Sequence, residues 1–295
     1  MTIAQALATA ILRLRTSQAT PANVRAEALA DAQILLGEVL QADRAWLLAH
    51  GNEELDGSLS EIFGVLIGER MRGVPVAYLT HKAGFFGREF YVDEHVLVPR
   101  PESEHLIEAA LDDVRARLAE GAREVRVCDI GTGSGALAVT LAAECRQVRV
   151  FAADISEGAL RVACRNAGTN GVAERVTFVR GDLGEPLVEF GPFDCVIANL
   201  PYVPSGVVPQ QPDPVGFEPL VALDGGADGL DLYRRLLAQL PRLAAPRASL
   251  WFEAAPATLD PLSALVEATY PFAYIEVGED YAGCERFLSI QLPAA

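Results

Sequence analysis

Asp129-Ile130-Gly131-Thr132-Gly133-Ser134-Gly135 is the stretch whose reading decides how this chain folds. It follows the apolar run Val125-Arg126-Val127-Cys128 and precedes an apolar helical segment that begins near Ala136, so a buried strand turns directly into a helix. Glycines at such a turn let a ligand approach the backbone closely. The spacing is GxGxG rather than GxGxxG, and an acid sits two positions before the first glycine. That pattern suits a cationic ligand better than a pyrophosphate.

Outward from this turn, strand-like runs recur at 125–130, 148–153, 176–179, 193–198, 249–252, 272–277 and 287–292, with helical segments between most of them. The alternation implies a mainly parallel sheet covered on both faces. Only a short loop separates the last two runs, so the final strand is expected to be antiparallel. Upstream, Pro101, Glu102 and Glu104 suit the first turn of a helix that continues through Leu111. The first seventy or so residues carry apolar positions at helical spacing, as in Ala28, Leu35 and Val39, then Ile62, Val65 and Leu66, with breaks at Pro21, Gly51 and Gly57. Gly73-Val74-Pro75 ends this helical bundle, and the aromatic run at 84–92 reads as a hairpin. The expected domains are a helical bundle at 1–75, a hairpin linker at 76–97 and a catalytic domain at 98–295.

Two more acids stand at strand ends. Asp154 closes the next strand, near the separation of ~20 residues at which a carboxylate meets ribose hydroxyls in doubly wound folds. Asp182-Leu183 follows the third, where a carboxylate can accept from an adenine amino group and leucine can cover the ring. With Asp129, Gly131, Thr132, Gly133, Ser134 and Gly135, these residues form the expected site for S-adenosylmethionine, which carries an ammonium and a sulfonium where a dinucleotide carries phosphates. Taken singly, Asp129 also suits a partner for the helix N-terminus, and Asp182 a loop cap.

The run at 193–198 leads into Asn199-Leu200-Pro201-Tyr202. An amide nitrogen is a poor nucleophile because its lone pair is delocalised into the carbonyl. If the Asn199 side-chain oxygen and the Leu200 carbonyl each accept a hydrogen bond from a substrate NH₂, the lone pair is drawn toward a tetrahedral geometry, and the fixed acceptors stabilise the transition state. Pro201 holds the turn rigid and Tyr202 offers a flat wall for a planar amide or base. Such a transfer is driven by positioning and needs no metal.

Composition narrows the field further. With 40 acidic against 24 basic residues the formal charge is −16, which repels a phosphate backbone and argues against direct nucleic-acid binding. The five cysteines, Cys128, Cys145, Cys164, Cys195 and Cys284, form no CxxC pair, and a reduced, cytoplasmic protein is expected. The first apolar stretch, 3–12, has no cationic segment before it, the wrong order for a signal peptide. The uncharged run at 195–212 is interrupted by four prolines, so no membrane span is expected. His50, His81, His95 and His105 show no metal-ligand spacing and are assigned to the surface or the linker. Trp46-Leu47-Leu48 reads as core packing, and Glu253, at the end of the fifth main strand, as a buried loop cap.

Over nearly its whole length the chain resembles the HemK/PrmC family, the release factor glutamine N5-methyltransferases. The matching segments are Leu97-Val98-Pro99-Arg100-Pro101-Glu102-Ser103-Glu104, the glycine-rich turn, Asn199 to Tyr202, Phe217-Glu218-Pro219-Leu220-Val221-Ala222-Leu223, and Gly225-Gly226-Ala227-Asp228-Gly229-Leu230. The resemblance implies an α/β class I S-adenosylmethionine-dependent methyltransferase: a doubly wound, mostly parallel seven-stranded sheet with an antiparallel last strand, preceded by a small helical bundle that binds the release factor and a β-hairpin linker. It implies that Asp154, Leu183, Asn199 and the glycine turn contact the cofactor, that Asn199, Leu200, Pro201 and Tyr202 hold the glutamine of a Gly-Gly-Gln loop, and that Phe217, Glu218 and Pro219 also bind substrate. Two positions depart from the pattern. Asn-Leu-Pro-Tyr replaces the usual Asn-Pro-Pro-Tyr, and Leu183 stands where an aromatic is frequent. Asn-Leu-Pro-Tyr also resembles the loop of ribosomal-RNA adenine methyltransferases, so an amino-group (adenine N6-type) methyltransferase acting on RNA or DNA stays open as an alternative, and behind it a noncatalytic S-adenosylmethionine-binding protein.

Overall fold

A computed structural model describes residues 1–294. Packing divides them into two units, one formed by 1–82 with 209–218 and the other by 83–208 with 219–294.

The first unit holds helices α1 (Ile3–Thr16), α2 (Ala22–Leu40), α3 (Arg44–Ala49), α4 (Gly57–Met71) and α5 (Val76–Thr80). Thr2 caps α1 in a reciprocal capping box with Gln5, while Asp43 and Asp56 cap α3 and α4. Each cap satisfies backbone donors that a helix start leaves free. Leu14, Val24, Leu35, Leu36, Leu47, Phe63 and Ile67 form its core. Trp46 and Leu48 face outward, so only the middle residue of that triplet is packed inside. Within this core Arg70 and Asp31 form a buried ion pair, Nε to Oδ2 at 2.7 Å. The segment 209–218 packs close to Gly73, whose φ of +100° and contact with the Pro212 carbonyl leave no room for a Cβ. The hairpin expected across 76–97 occupies a shorter stretch, β1 (Lys82–Phe85) and β2 (Arg88–Tyr91), with α5 before it.

The second unit continues with α6 (Ser103–Ala119), β3 (Val125–Ile130), α7 (Ala136–Glu144), β4 (Val148–Asp154), α8 (Glu157–Thr169), β5 (Val176–Arg180), β6 (Phe193–Ala198), α9 (Asp231–Leu243), β7 (Ala244–Glu253), α10 (Pro256–Thr269), β8 (Tyr274–Glu279) and β9 (Glu285–Gln291). Pro101 lies just ahead of α6 rather than inside it, because Ser103 and Glu104 bond back to the carbonyls of Arg100 and Pro101 in a tight turn. The seven main strands are ordered β5-β4-β3-β6-β7-β9-β8. The first five strands of that order are parallel, and β9 runs antiparallel between β7 and β8, as a short β8–β9 connection requires. Alternate apolar faces of β3, β4 and β6 bury into two layers, one under α6 and α7 and the other under α9 and α10.

Register sets up the site. Ile130 lies beside both Ala153 and Ala198, Asp154 beside Arg180, and Ala198 beside Phe252. Gly131, Asp154, Asn199 and Glu253 therefore emerge at one level on the carboxyl edge, where open α/β sheets bind ligands.

Candidate active site

At this edge lies a cavity of about 680 Å³, walled by the glycine turn, the ends of β4 and β6, the 95–103 segment, Asp182-Leu183 and 220–224. Its volume is that of a small-molecule site.

All three glycines of the turn have positive φ, +77° at Gly131, +55° at Gly133 and +81° at Gly135, a region that side chains with a Cβ rarely adopt. A Cβ on Gly135 would press on Ala163 of α8 at 3.1 Å, so this glycine serves helix packing. A Cβ on Gly133 would meet no protein atom within 4 Å, so this glycine opens backbone to the cavity. Gly131, Thr132, Gly133 and Ser134 line the cavity, whereas Gly135 does not.

The three strand-end acids diverge. Asp129 is fully buried and outside the cavity wall; its Oδ2 accepts the Thr132 hydroxyl at 2.7 Å, and burial pushes its carboxyl up to about 7. This geometry braces the turn from beneath. Asp154 lines the cavity and accepts the Gly133 N–H at 2.9 Å and the Ser156 N–H at 2.8 Å. Burial raises its pKa, and these backbone donors oppose the rise. Asp182 and the largely buried Leu183 also line the cavity, and Asp182 is ion-paired with Arg235 of α9.

Asn199, Leu200 and Pro201 form the adjoining wall. The Leu200 side chain is 2% exposed and packs over Gly131, where a Cβ would meet its Cδ2 at 3.1 Å. Leucine here thus fills core space against the first glycine. The Asn199 side-chain amide donates to the Ser103 hydroxyl at 3.3 Å. Tyr202 borders a second, smaller cavity of about 220 Å³ with Arg100, Glu102, Glu253 and Arg286. Burial pushes its hydroxyl up to about 12, so its ring stays neutral. Phe217, Glu218 and Pro219 are absent from the cavity wall. Phe217 and Glu218 fall within the helical unit, Phe217 near Gly73, because the segment 209–218 packs there.

Several residues of the site carry no sequence signal of their own. His95, assigned above to the surface or linker, stands in the cavity wall, its ring seated over Gly158 at the start of α8. Two residues apart from any motif, Asn166 and Tyr233, act as buried braces. Asn166 donates to the Ser134 and Tyr91 carbonyls and accepts the Tyr91 N–H, tying the glycine turn to the hairpin. Arg100 and Ser103 lay in a quoted segment, yet only the fold brings them beside Asn199. Asp93, Glu94 and His95 offer ligand atoms close enough to share a metal, but all three are at least partly exposed, and the chemistry described for the cavity needs no metal. All five cysteines are free thiols.

Residues 5–80 match the PrmC N-terminal domain family and residues 127–210 a methyltransferase domain family. Similar proteins include the release factor glutamine methyltransferase of Bacillus anthracis, 36% identical over 265 residues, 88% of this chain and 91% of that protein. That of Moorella thermoacetica is 37% identical over 286 residues, 97% of each. Among solved structures, the hMettl16 catalytic domain in complex with a 3′UTR hairpin superposes with a TM-score of 0.52 at 18% identity, over 70% of this chain and 76% of that one. The T. thermophilus 16S rRNA methyltransferase RsmC, in complex with AdoMet and guanosine, gives 0.50 at 20% identity, over 72% and 49%. At these identities the structural likeness speaks to the fold, that of class I methyltransferases.

Proposed function

The chain belongs to the release factor glutamine methyltransferases, and on that premise we propose that it transfers a methyl group from S-adenosylmethionine to the side-chain amide nitrogen, N5, of the glutamine in the Gly-Gly-Gln motif of a peptide-chain release factor. Identity of 36–37% across nearly the whole chain, in both units, carries this reading. A substrate of the translation machinery implies a cytoplasmic enzyme; among the described residues no helix is long and apolar enough to cross a membrane.

The cavity fits the cofactor. Gly133 offers backbone without a side chain, Asp154 keeps acceptor capacity on both oxygens beyond its two backbone bonds, and Leu183 presents an apolar face. Asp182, already paired with Arg235, takes the outer part of the same site. Asp129 acts through the turn it supports. When bound, S-adenosylmethionine supplies a methyl group on a positively charged sulfur.

Asn199 and Leu200 do the rest. The Asn199 Oδ1 and the Leu200 carbonyl accept the two N–H bonds of the substrate amide and turn its lone pair toward the methyl group. Pro201 fixes the spacing of the two acceptors, and the neutral Tyr202 ring packs the amide plane. One C–S bond breaks, one N–C bond forms, and the amide nitrogen loses a proton. Phe217, Glu218 and Pro219 are assigned to binding the substrate protein.

Incubation with S-adenosylmethionine and an unmethylated bacterial release factor, followed by peptide mass spectrometry, tests this. Methyl on the Gly-Gly-Gln glutamine, lost in Asn199→Ala, is the expected result. A folded, cofactor-binding protein that leaves that peptide unmodified would overturn the substrate assignment.

A further inference from the structure

Glu253 is the last residue of β7, 4% exposed, and level with Asn199 because Ala198 pairs with Phe252. Its Oε2 has no hydrogen-bond partner among the described residues. A buried carboxyl without a full set of partners is costly and calls for a reason. Between Glu253 and Asn199 lies Ser103, whose hydroxyl accepts the Asn199 Nδ2–H at 3.3 Å. The Ser103 hydroxyl and the Asn199 amide both favour the charged form of the Glu253 carboxyl, as donors beside it would.

An asparagine amide has nearly the same shape in either flip, yet only one flip presents an acceptor to the substrate. We propose that Glu253 is a positioning residue for Asn199: with Ser103 it forms an acceptor wall that takes the Asn199 NH₂ and so directs Oδ1 into the cavity toward the substrate amide. The role deepens the methyl-transfer reading and rests on it, since it presumes that Asn199 Oδ1 accepts from the substrate.

A carboxylate enforces the flip because it accepts only. A protonated carboxyl, or a glutamine, also donates and tolerates the reversed amide. Burial pushes Glu253 up to about 7, the Ser103 and Asn199 donors pull the other way, Glu102 adds to the rise and Arg286 opposes it. Arg100 and Tyr202 share its cavity, and the Tyr233 hydroxyl also faces it. The start of α10 brings the uncharged Ala255 and Pro256 to this cavity. The active form is the ionised one, so turnover should fall as pH drops through about 7.

Glu253→Gln conserves size and tests the point. The expected result is a kcat lowered by up to about 100-fold, the loss expected when a reacting group is held off its geometry. Cofactor affinity by calorimetry and KM for the release factor should stay near wild type, and the acid limb near pH 7 should vanish. A variant with unchanged kcat and an unchanged pH profile overturns the proposal. A second readout is independent of turnover: the Asn199 side-chain NH₂ signal in NMR, assigned by its loss in Asn199→Ala. It should titrate near pH 7 in the wild type and shift upfield in Glu253→Gln. An Asn199 signal indifferent to both overturns the positioning role, even if the wild type methylates a different substrate. A wild type inactive on release factor but with a titrating Asn199 signal would instead overturn the substrate reading.

Discussion

The Tyr233 hydroxyl accepts the Leu200 N–H at 3.4 Å and donates to the Glu253 carbonyl, fastening the start of the catalytic loop to the end of the neighbouring strand. Both Tyr233 and Leu200 are buried, so neither backbone group has water as a substitute. Tyr233→Phe should lower stability by about 1–3 kcal/mol, the range for leaving buried polar groups unpaired. Because the loop shifts while the glycine turn does not, kcat should fall and cofactor affinity should hold. Denaturant titration and calorimetry check the two halves.

Leu200→Pro restores the usual Asn-Pro-Pro-Tyr and keeps the carbonyl that the chemistry uses. It removes the N–H that Tyr233 accepts and a side chain packed over Gly131. The expected outcome is a protein less stable by about 2–4 kcal/mol, from cavity and hydrogen-bond terms, that still methylates. Loss of methylation at retained fold would show that leucine itself matters to this site.

Glycines of the same turn should fail differently. Gly133→Ala strains a φ of +55° by about 1–2 kcal/mol and puts a methyl into the cavity, so cofactor affinity should drop more than stability. Gly135→Ala collides with Ala163 at the helix seam, so stability should drop more than affinity. Thermal melts paired with calorimetry separate the two.

In the helical unit, Arg70→Ala leaves Asp31 buried without its partner, since Glu27 at 3.7 Å from Arg70 adds only like charge. Removing one partner of such a pair costs about 3–5 kcal/mol. A melt of the full chain should show the loss, and Arg70→Met with Asp31→Leu should recover most of it.

Stability should also depend on pH with a set sign. Asp129 and Glu253 both have folded-state values raised to about 7, above their unfolded values of 3.8 and 4.5. Between about pH 4 and 7 the folded chain therefore binds more protons than the unfolded one, and stability falls as pH rises through that window. Asp129→Asn and Glu253→Gln should each flatten the slope in pH-dependent melts. A slope unchanged in both variants would place the linkage elsewhere.

The sequence by itself determined the order of elements, the glycine turn, the acids at strand ends and the antiparallel close of the sheet. These are local signals, periodicity and turn chemistry, which need no knowledge of what packs beside them. Asp129 shows where local reading stops: its position beside the turn was legible, yet only the sheet decided that its carboxyl faces Thr132 beneath the turn rather than the cavity. Nothing local marks His95, Asn166 or Tyr233 for the site, and although Ser103 stood in a matching segment and Glu253 at a strand end, nothing local brings these five distant residues together. Parallel register brings Asn199 level with Glu253, and α6, α8 and α9 then supply Ser103, Asn166 and Tyr233 as hydrogen-bond partners. A hydrogen bond depends on distance in space, and that is set by how strands align, which the spacing of residues along one chain does not encode.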